Sequence, residues 1–173
     1  PRRPAMPVLW IVIALVALLR LAELVHAGRN TARLIARGGI EHGRGHYPVI
    51  VALHAGWLAA LAIVVPPDTP VHWPWLALFA ALQAARVWVI ASLGPYWTTR
   101  VITLPDAPLV RRGPYRLLRH PNYLVVAAEI AVLPLAFGAW GIALAFSVLN
   151  ALVLAHRIRV EQAALAPRAS VTD

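Results

Sequence analysis

Apolar residues in this chain fall in long blocks separated by short polar punctuation. The first block runs from Pro7 to Val25, close to the ~20 residues a helix needs to cross a bilayer core. A second covers 48–65, closed by Pro66 and Pro67, and a third runs from about 73 to 93. The fourth starts at Asn122 or Tyr123 and reaches about Ala136. The fifth extends from Trp140 to about Ala155, and its helix continues through His156 to Leu165. Phe137-Gly138 leaves room only for a tight turn, so the last two blocks form an antiparallel hairpin. The pattern predicts an all-α polytopic membrane protein of about five transmembrane helices. It is read as a single domain over 1–173, with the chemistry in its C-terminal part, about 94–165.

Polar residues at unusual places refine this picture. Arg29, Arg33 and Arg37 recur at intervals of four, along one helical face. They predict an interfacial segment ending at Gly38-Gly39, in contact with lipid headgroups. Arg20 and Glu23, near the end of the first block, are expected to pair or to snorkel. His54, Arg86 and Glu129 fall inside blocks, where ionisable groups are costly and usually face a bundle interior. Glu129 is expected to partner a nearby arginine, and His54 either to make a buried hydrogen bond or to line a site. Trp73 and Trp75 stand where an aromatic belt belongs.

Composition agrees with the blocks. Hydrophobic residues make up 60% of the chain, charged residues 13%, and the mean hydropathy is +0.68, beyond what a soluble core requires. All 16 basic residues are arginine, against seven acids, giving +9. A nucleic-acid binder needs a polar face to carry such charge, and none exists here. The arginines instead cluster in alternate loops: 28–45, 94–121 and the tail after 155, with none in 66–72 or 137–139. That alternation places the basic segments on the cytoplasmic side. Cysteine is absent, which excludes disulfides and thiol chemistry. No small-residue cleavage site follows the first block, so a cleaved signal peptide is not expected. His42 and His46 are four apart, but the glycines at 43 and 45 argue against a helix presenting them to a metal. No metal site is expected.

One polar stretch stands out, Leu109 to Tyr123, reading LVRRGPYRLLRHPNY. Pro114 and Pro121 restrict its backbone and bias the preceding residues away from helix. Tyr115, His120 and Tyr123 are thereby held on a shaped segment. Farther on, Arg157 and Glu161 lie four apart, on one helical face. By spacing alone they read equally as an ordinary ion pair at a helix end.

This pair of motifs resembles the isoprenylcysteine carboxyl methyltransferase family, with its LV..GPY...RHP.Y signature followed by R-I-x-x-E-E-x-x-L. The second part appears here as Arg157-Ile158-Arg159-Val160-Glu161-Gln162-Ala163-Ala164-Leu165, with Gln162 in place of the second glutamate. Weaker similarity extends upstream through His46-Tyr47-Pro48, Leu93-Gly94 and Tyr96. The resemblance implies a cytoplasm-facing pocket, formed by the 94–121 loop and the C-terminal helix, for S-adenosyl-L-methionine and its product S-adenosyl-L-homocysteine. It implies cofactor contacts from Leu109, Val110, Tyr115, His120, Pro121, Asn122, Tyr123 and Glu161. It also implies that Arg157 faces the substrate, a lipophilic acceptor reached from the bilayer.

The residue chemistry is compatible with those roles. Glu161 can accept from an ammonium, His120 and the tyrosines can donate, and tyrosine faces can stabilise a cation. Arg157 can orient an acceptor carboxylate through charge-assisted hydrogen bonds. For a phenol, pyrone or quinone hydroxyl, Arg157 can stabilise the oxyanion, with His120 as a base. Three other readings compete: a nicotinamide-dependent membrane lipid reductase, a phospholipid N-methyltransferase, and a non-enzymatic membrane scaffold.

Overall fold

A computed structural model describes residues 7–104 and 110–169. Five helices follow the five apolar blocks: α1 (Val8–Ala36), α2 (Tyr47–Val64), α3 (Trp73–Leu93), α4 (Pro121–Leu135) and α5 (Trp140–Ala169). Among the described residues, α1, α2, α3 and α5 are long and apolar enough to cross a membrane, and α4 is a shorter apolar helix. The chain is an all-α polytopic membrane protein. Its outward surface carries Leu18, Leu21, Ile63, Val87, Leu144 and Leu152, as expected where lipid is the solvent.

The first block and the arginine-rich segment after it are one helix, not a span followed by a separate interfacial piece. The buried stripe explains this: Val16, Ala27, Asn30 and Leu34 continue along one face well past Val25. At 29 residues, α1 is about 44 Å long, so its arginine-bearing turns project beyond a core of about 30 Å. It ends as expected at Gly38, which takes the left-handed φ of 86°. Gly39 then returns its N–H to Leu34 O at 2.9 Å.

Helix α4 is enclosed between α3 and α5, with Val125, Val126, Glu129, Ile130, Val132 and Leu133 buried. Its 15 residues give only about 22 Å. A helix walled by protein has no need to match the bilayer thickness.

Two contacts fix which ends lie together. The His72 N–H donates to Ala136 O at 2.8 Å, joining the α2–α3 turn to the α4–α5 turn. Trp73 and Trp140 are exposed there, in the position of an aromatic belt. At the opposite end β1 (Ile40–His42) pairs antiparallel with β2 (Val101–Thr103), Glu41 facing Ile102. Glu41 accepts from Arg100 at 2.8 Å, and the Arg100 guanidinium lies 4.5 Å over the Tyr47 ring. This small sheet, too short to read from the sequence, joins the two arginine-rich loops at one end of the bundle.

The charges inside the blocks meet each other. Arg86 donates from Nε and Nη2 to the two oxygens of Glu23, both at 2.7 Å, and from Nη1 to Glu129 at 3.1 Å. Arg20 donates to Glu23 at 2.9 Å, to Gln83 at 2.8 Å and to Glu129 at 3.3 Å. Gln83 completes the set by donating to Glu129 at 2.7 Å. Arg20 and Glu23 therefore pair and do not snorkel. Glu129 has its arginine partners, and His54 donates from Nδ1 to Ile50 O at 2.9 Å.

Candidate functional site

The loop after α3 is shaped by specific anchors. Asn30, buried on α1, donates to Gly94 O at 3.2 Å and to Trp97 O at 2.9 Å, while His26 stacks on Trp97 at 5.7 Å. Arg112 Nε donates to Ser92 O at 2.6 Å. Gly113 has a left-handed φ of 56°, and a Cβ there would collide with Ser92 Oγ. These contacts press the 3-10 turn at Gly113–Arg116 against α3. Pro121 then opens α4 at a position where no N–H is required.

At this end of the bundle α5 brings Arg157 and Glu161 to Tyr123, at the start of α4. The Tyr123 hydroxyl donates to Glu161 Oε2 and accepts from Arg157 Nε at 2.8 Å. Arg157 Nη1 donates to Thr99 O at 2.6 Å, and its guanidinium carbon lies 5.6 Å from the Tyr123 ring centre. Arg157 and Glu161 thus meet through a tyrosine from another helix, beyond the simple i,i+4 pair that spacing allows. His120 stacks on Tyr123, with centroids 5.2 Å apart and planes 15° from parallel. Its Nδ1 is 3.7 Å from Glu161 Oε1.

Tyr115 stands half-buried nearby. Burial, and secondarily the Glu161 charge, push its phenol pKa well above the ordinary value. It therefore stays protonated and available as a donor. Asn122 presents a buried Oδ1 with no hydrogen-bond partner, an acceptor left over in the same corner. Val110 is half-buried, and Leu109 lies outside the described residues. Gln162 is exposed, so the departure from the second glutamate leaves the Tyr123–Glu161 contact untouched. Thr99, Asn30, Ser92 and Arg100 escaped the sequence reading, because each acts through a backbone atom or a distant partner.

A groove of about 480 Å³ opens between the start of α2 and the middle of α5. Val49, Leu152 and Val153 line it with Gly43 and Gly45, and His156 stands at its wall.

The isoprenylcysteine carboxyl methyltransferase (ICMT) family model matches residues 75–167, which hold both motifs and every residue just described on α4 and α5. The chain belongs to the isoprenylcysteine carboxyl methyltransferase family. Similarity to individual proteins runs farther toward the N-terminus. The chain is 37% identical over 161 residues to the uncharacterized protein YpbQ of Bacillus subtilis (strain 168), covering 90% of this chain and 95% of that one. It is 27% identical over 160 residues to an uncharacterized protein of Haemophilus influenzae, covering 90% and 93%. No solved structure matches the chain significantly. Family membership makes it a membrane protein of the methyltransferase class.

Proposed function

We propose that the chain is an S-adenosyl-L-methionine-dependent O-methyltransferase acting on a lipophilic acceptor carried by the membrane. The observation that carries this reading is the Tyr123 hydroxyl, which ties the carboxylate of Glu161 to the guanidinium of Arg157. One such knot offers an anion for a cationic ligand and a cation for an anionic one, side by side.

The donor set fits the cofactor. Glu161 and the unpaired Asn122 Oδ1 can both accept from an ammonium. Tyr115, kept protonated, can donate to a carboxylate, and the positive end of the α4 dipole favours negative charge at the same place. His120 and Tyr123, stacked on one another, give a flat aromatic wall for a positive centre. Pro121 and the backbone at Val110 complete the lining assigned by the family motif, with Leu109 next in sequence. When bound, S-adenosyl-L-methionine supplies a methyl on a sulfonium, which passes directly to the acceptor oxygen.

Arg157 uses Nε on Tyr123 and Nη1 on Thr99, which leaves Nη2 for an acceptor oxygen. A carboxylate needs only that orientation, because it is already nucleophilic. A phenol or enol needs its proton removed, and His120 is the base at hand. Holding two reactants in line accounts for much of the acceleration such a site can supply. An isoprenylcysteine-type carboxylate and a long-chain phenol, pyrone or quinone hydroxyl both suit a chain with an apolar groove between α2 and α5. The concentration of arginine at this end supports a cytoplasmic orientation.

Calorimetry on detergent-solubilised protein tests the reading, with S-adenosyl-L-methionine, S-adenosyl-L-homocysteine and NADPH as titrants. The expected result is micromolar binding of the first two alone. Binding of NADPH alone would favour a reductase, and binding of none by folded protein would favour a scaffold. Glu161→Ala is expected to lose cofactor affinity while staying folded. Arg157→Ala is expected to bind cofactor and lose turnover.

A further inference from the structure

The buried ion network includes Glu129, six residues beyond Tyr123 on α4. Glu129 is the one charged residue in Pro121–Leu135. It follows Asn122 by seven residues, so the two lie on one stripe of α4, two turns or about 10 Å apart. Between and beyond them that stripe is aliphatic, with Val125, Val126 and Leu133 buried. Aliphatic packing alone discriminates weakly between neighbouring rotations and depths of a helix. A carboxylate that must meet three fixed donors discriminates strongly.

Those donors come from two other helices. Arg20 of α1 and Gln83 of α3 both reach Glu129 Oε1, at 3.3 and 2.7 Å, and Arg86 of α3 reaches Oε2 at 3.1 Å. Arg86 is itself held by the two-point contact to Glu23. Arg86–Glu23 and Arg20–Gln83 thus tie α1 to α3 without α4, and Glu129 docks onto these groups. Turning or sliding α4 by one residue would leave Glu129 without these partners in a membrane interior, where such a group is expensive. The same movement would carry Tyr123 away from Glu161 and Arg157.

We infer that the network is a register pin for the site: Glu129, docked on Arg20, Gln83 and Arg86, sets the rotation and depth of α4 and so places Tyr123 between Glu161 and Arg157. Glu129 and Arg20 are positioning residues. The consequence for cofactor binding rests on the methyltransferase reading, whereas the placement of Tyr123 does not.

The double variant Arg20→Met with Glu129→Leu removes the α4 tie, keeps the network neutral and leaves the Arg86–Glu23 contact in place. The chain has four tyrosines, so protein labelled uniformly with 3-fluorotyrosine gives a small ¹⁹F spectrum, assigned by single Tyr→Phe changes. In the double variant the Tyr123 signal is expected to move toward its position in Glu161→Gln, with the Tyr47 and Tyr96 signals unchanged. S-adenosyl-L-methionine affinity is expected to fall at least tenfold. A parent-like Tyr123 signal, whatever the change in melting temperature, would overturn the pin and leave the network a purely structural one. If the parent binds no S-adenosyl-L-methionine but the Tyr123 signal moves, the functional reading fails and the pin stands. Should the double variant not fold, Glu129→Gln keeps the side-chain shape and removes its charge. A smaller shift in the same direction is then expected, and an unmoved Tyr123 signal overturns the inference.

Discussion

Tyr123 joins two oppositely charged side chains through one hydroxyl. It donates to a carboxylate and accepts from a guanidinium, and hydrogen bonds to charged groups contribute about 1.5–3 kcal/mol each. Tyr123→Phe keeps the ring stacked on His120 and removes only the hydroxyl. We expect it to fold normally and to lose about tenfold to a hundredfold in cofactor affinity, read by calorimetry, because Glu161 and Arg157 are released from each other. Tyr115 makes a different prediction. Its phenol is raised by burial first and by the Glu161 charge second. The unfolded chain ionises the same group near the ordinary value of about 10. Stability owed to Tyr115 is therefore intact below pH 10 and declines as pH rises from there toward the folded value. Ultraviolet titration of the parent against Tyr115→Phe should show the missing phenol titrating above the ordinary value.

At the scale of elements, the 94–121 loop depends on a few positions where the backbone does what most residues resist. Gly113 is the sharpest, combining a left-handed φ with a Cβ position already filled by Ser92. The left-handed conformation alone costs a non-glycine residue roughly 1–2 kcal/mol, and the collision adds to it. Gly113→Ala should lower the melting temperature and loosen Tyr115. It should leave the helices intact by circular dichroism. Both the 3-10 turn and the sheet of β1 with β2 are short, and their stability comes from side chains on other elements. The Arg100–Glu41 and Arg112–Ser92 contacts do what longer strands do elsewhere.

At the scale of the whole molecule, the two turn ends and the sheet end are distinguished by arginine as well as by geometry. The absence of cysteine allows this to be checked without background labelling. Single cysteines at Asp68 and Gly138 should be labelled from one face of the membrane, and those at Arg44 and Arg116 from the opposite face. Labelling of all four from one side would contradict the five-crossing path. The interior network gives a stability prediction. Removing one partner of a buried ion pair typically costs about 3–5 kcal/mol. Arg86→Met, which leaves Glu23 and Glu129 to share the single charge of Arg20, should therefore be far more damaging than the neutral double change at Arg20 and Glu129.

Sequence and tertiary structure contributed different things, for physical reasons. Long apolar blocks leave little freedom in a bilayer, because every backbone group must be satisfied within its own helix. The sequence alone therefore determined the helices, their near limits, the alternation of basic loops and, through two motifs, the family. It also marked Tyr115, His120 and Tyr123 on a proline-shaped polar segment, and Arg157 and Glu161 through the second motif. It placed a break after Val25 where none exists, since the buried stripe that carries α1 onward to Leu34 is defined only by what packs against it. Only the tertiary structure decided that Arg157 and Glu161 meet through Tyr123. Nor could spacing reveal that Glu129 docks on arginines of α1 and α3, or that two arginine-rich loops pair as strands. Those contacts join residues 34 to 109 positions apart, and a local pattern carries no record of which distant partner a polar group will find.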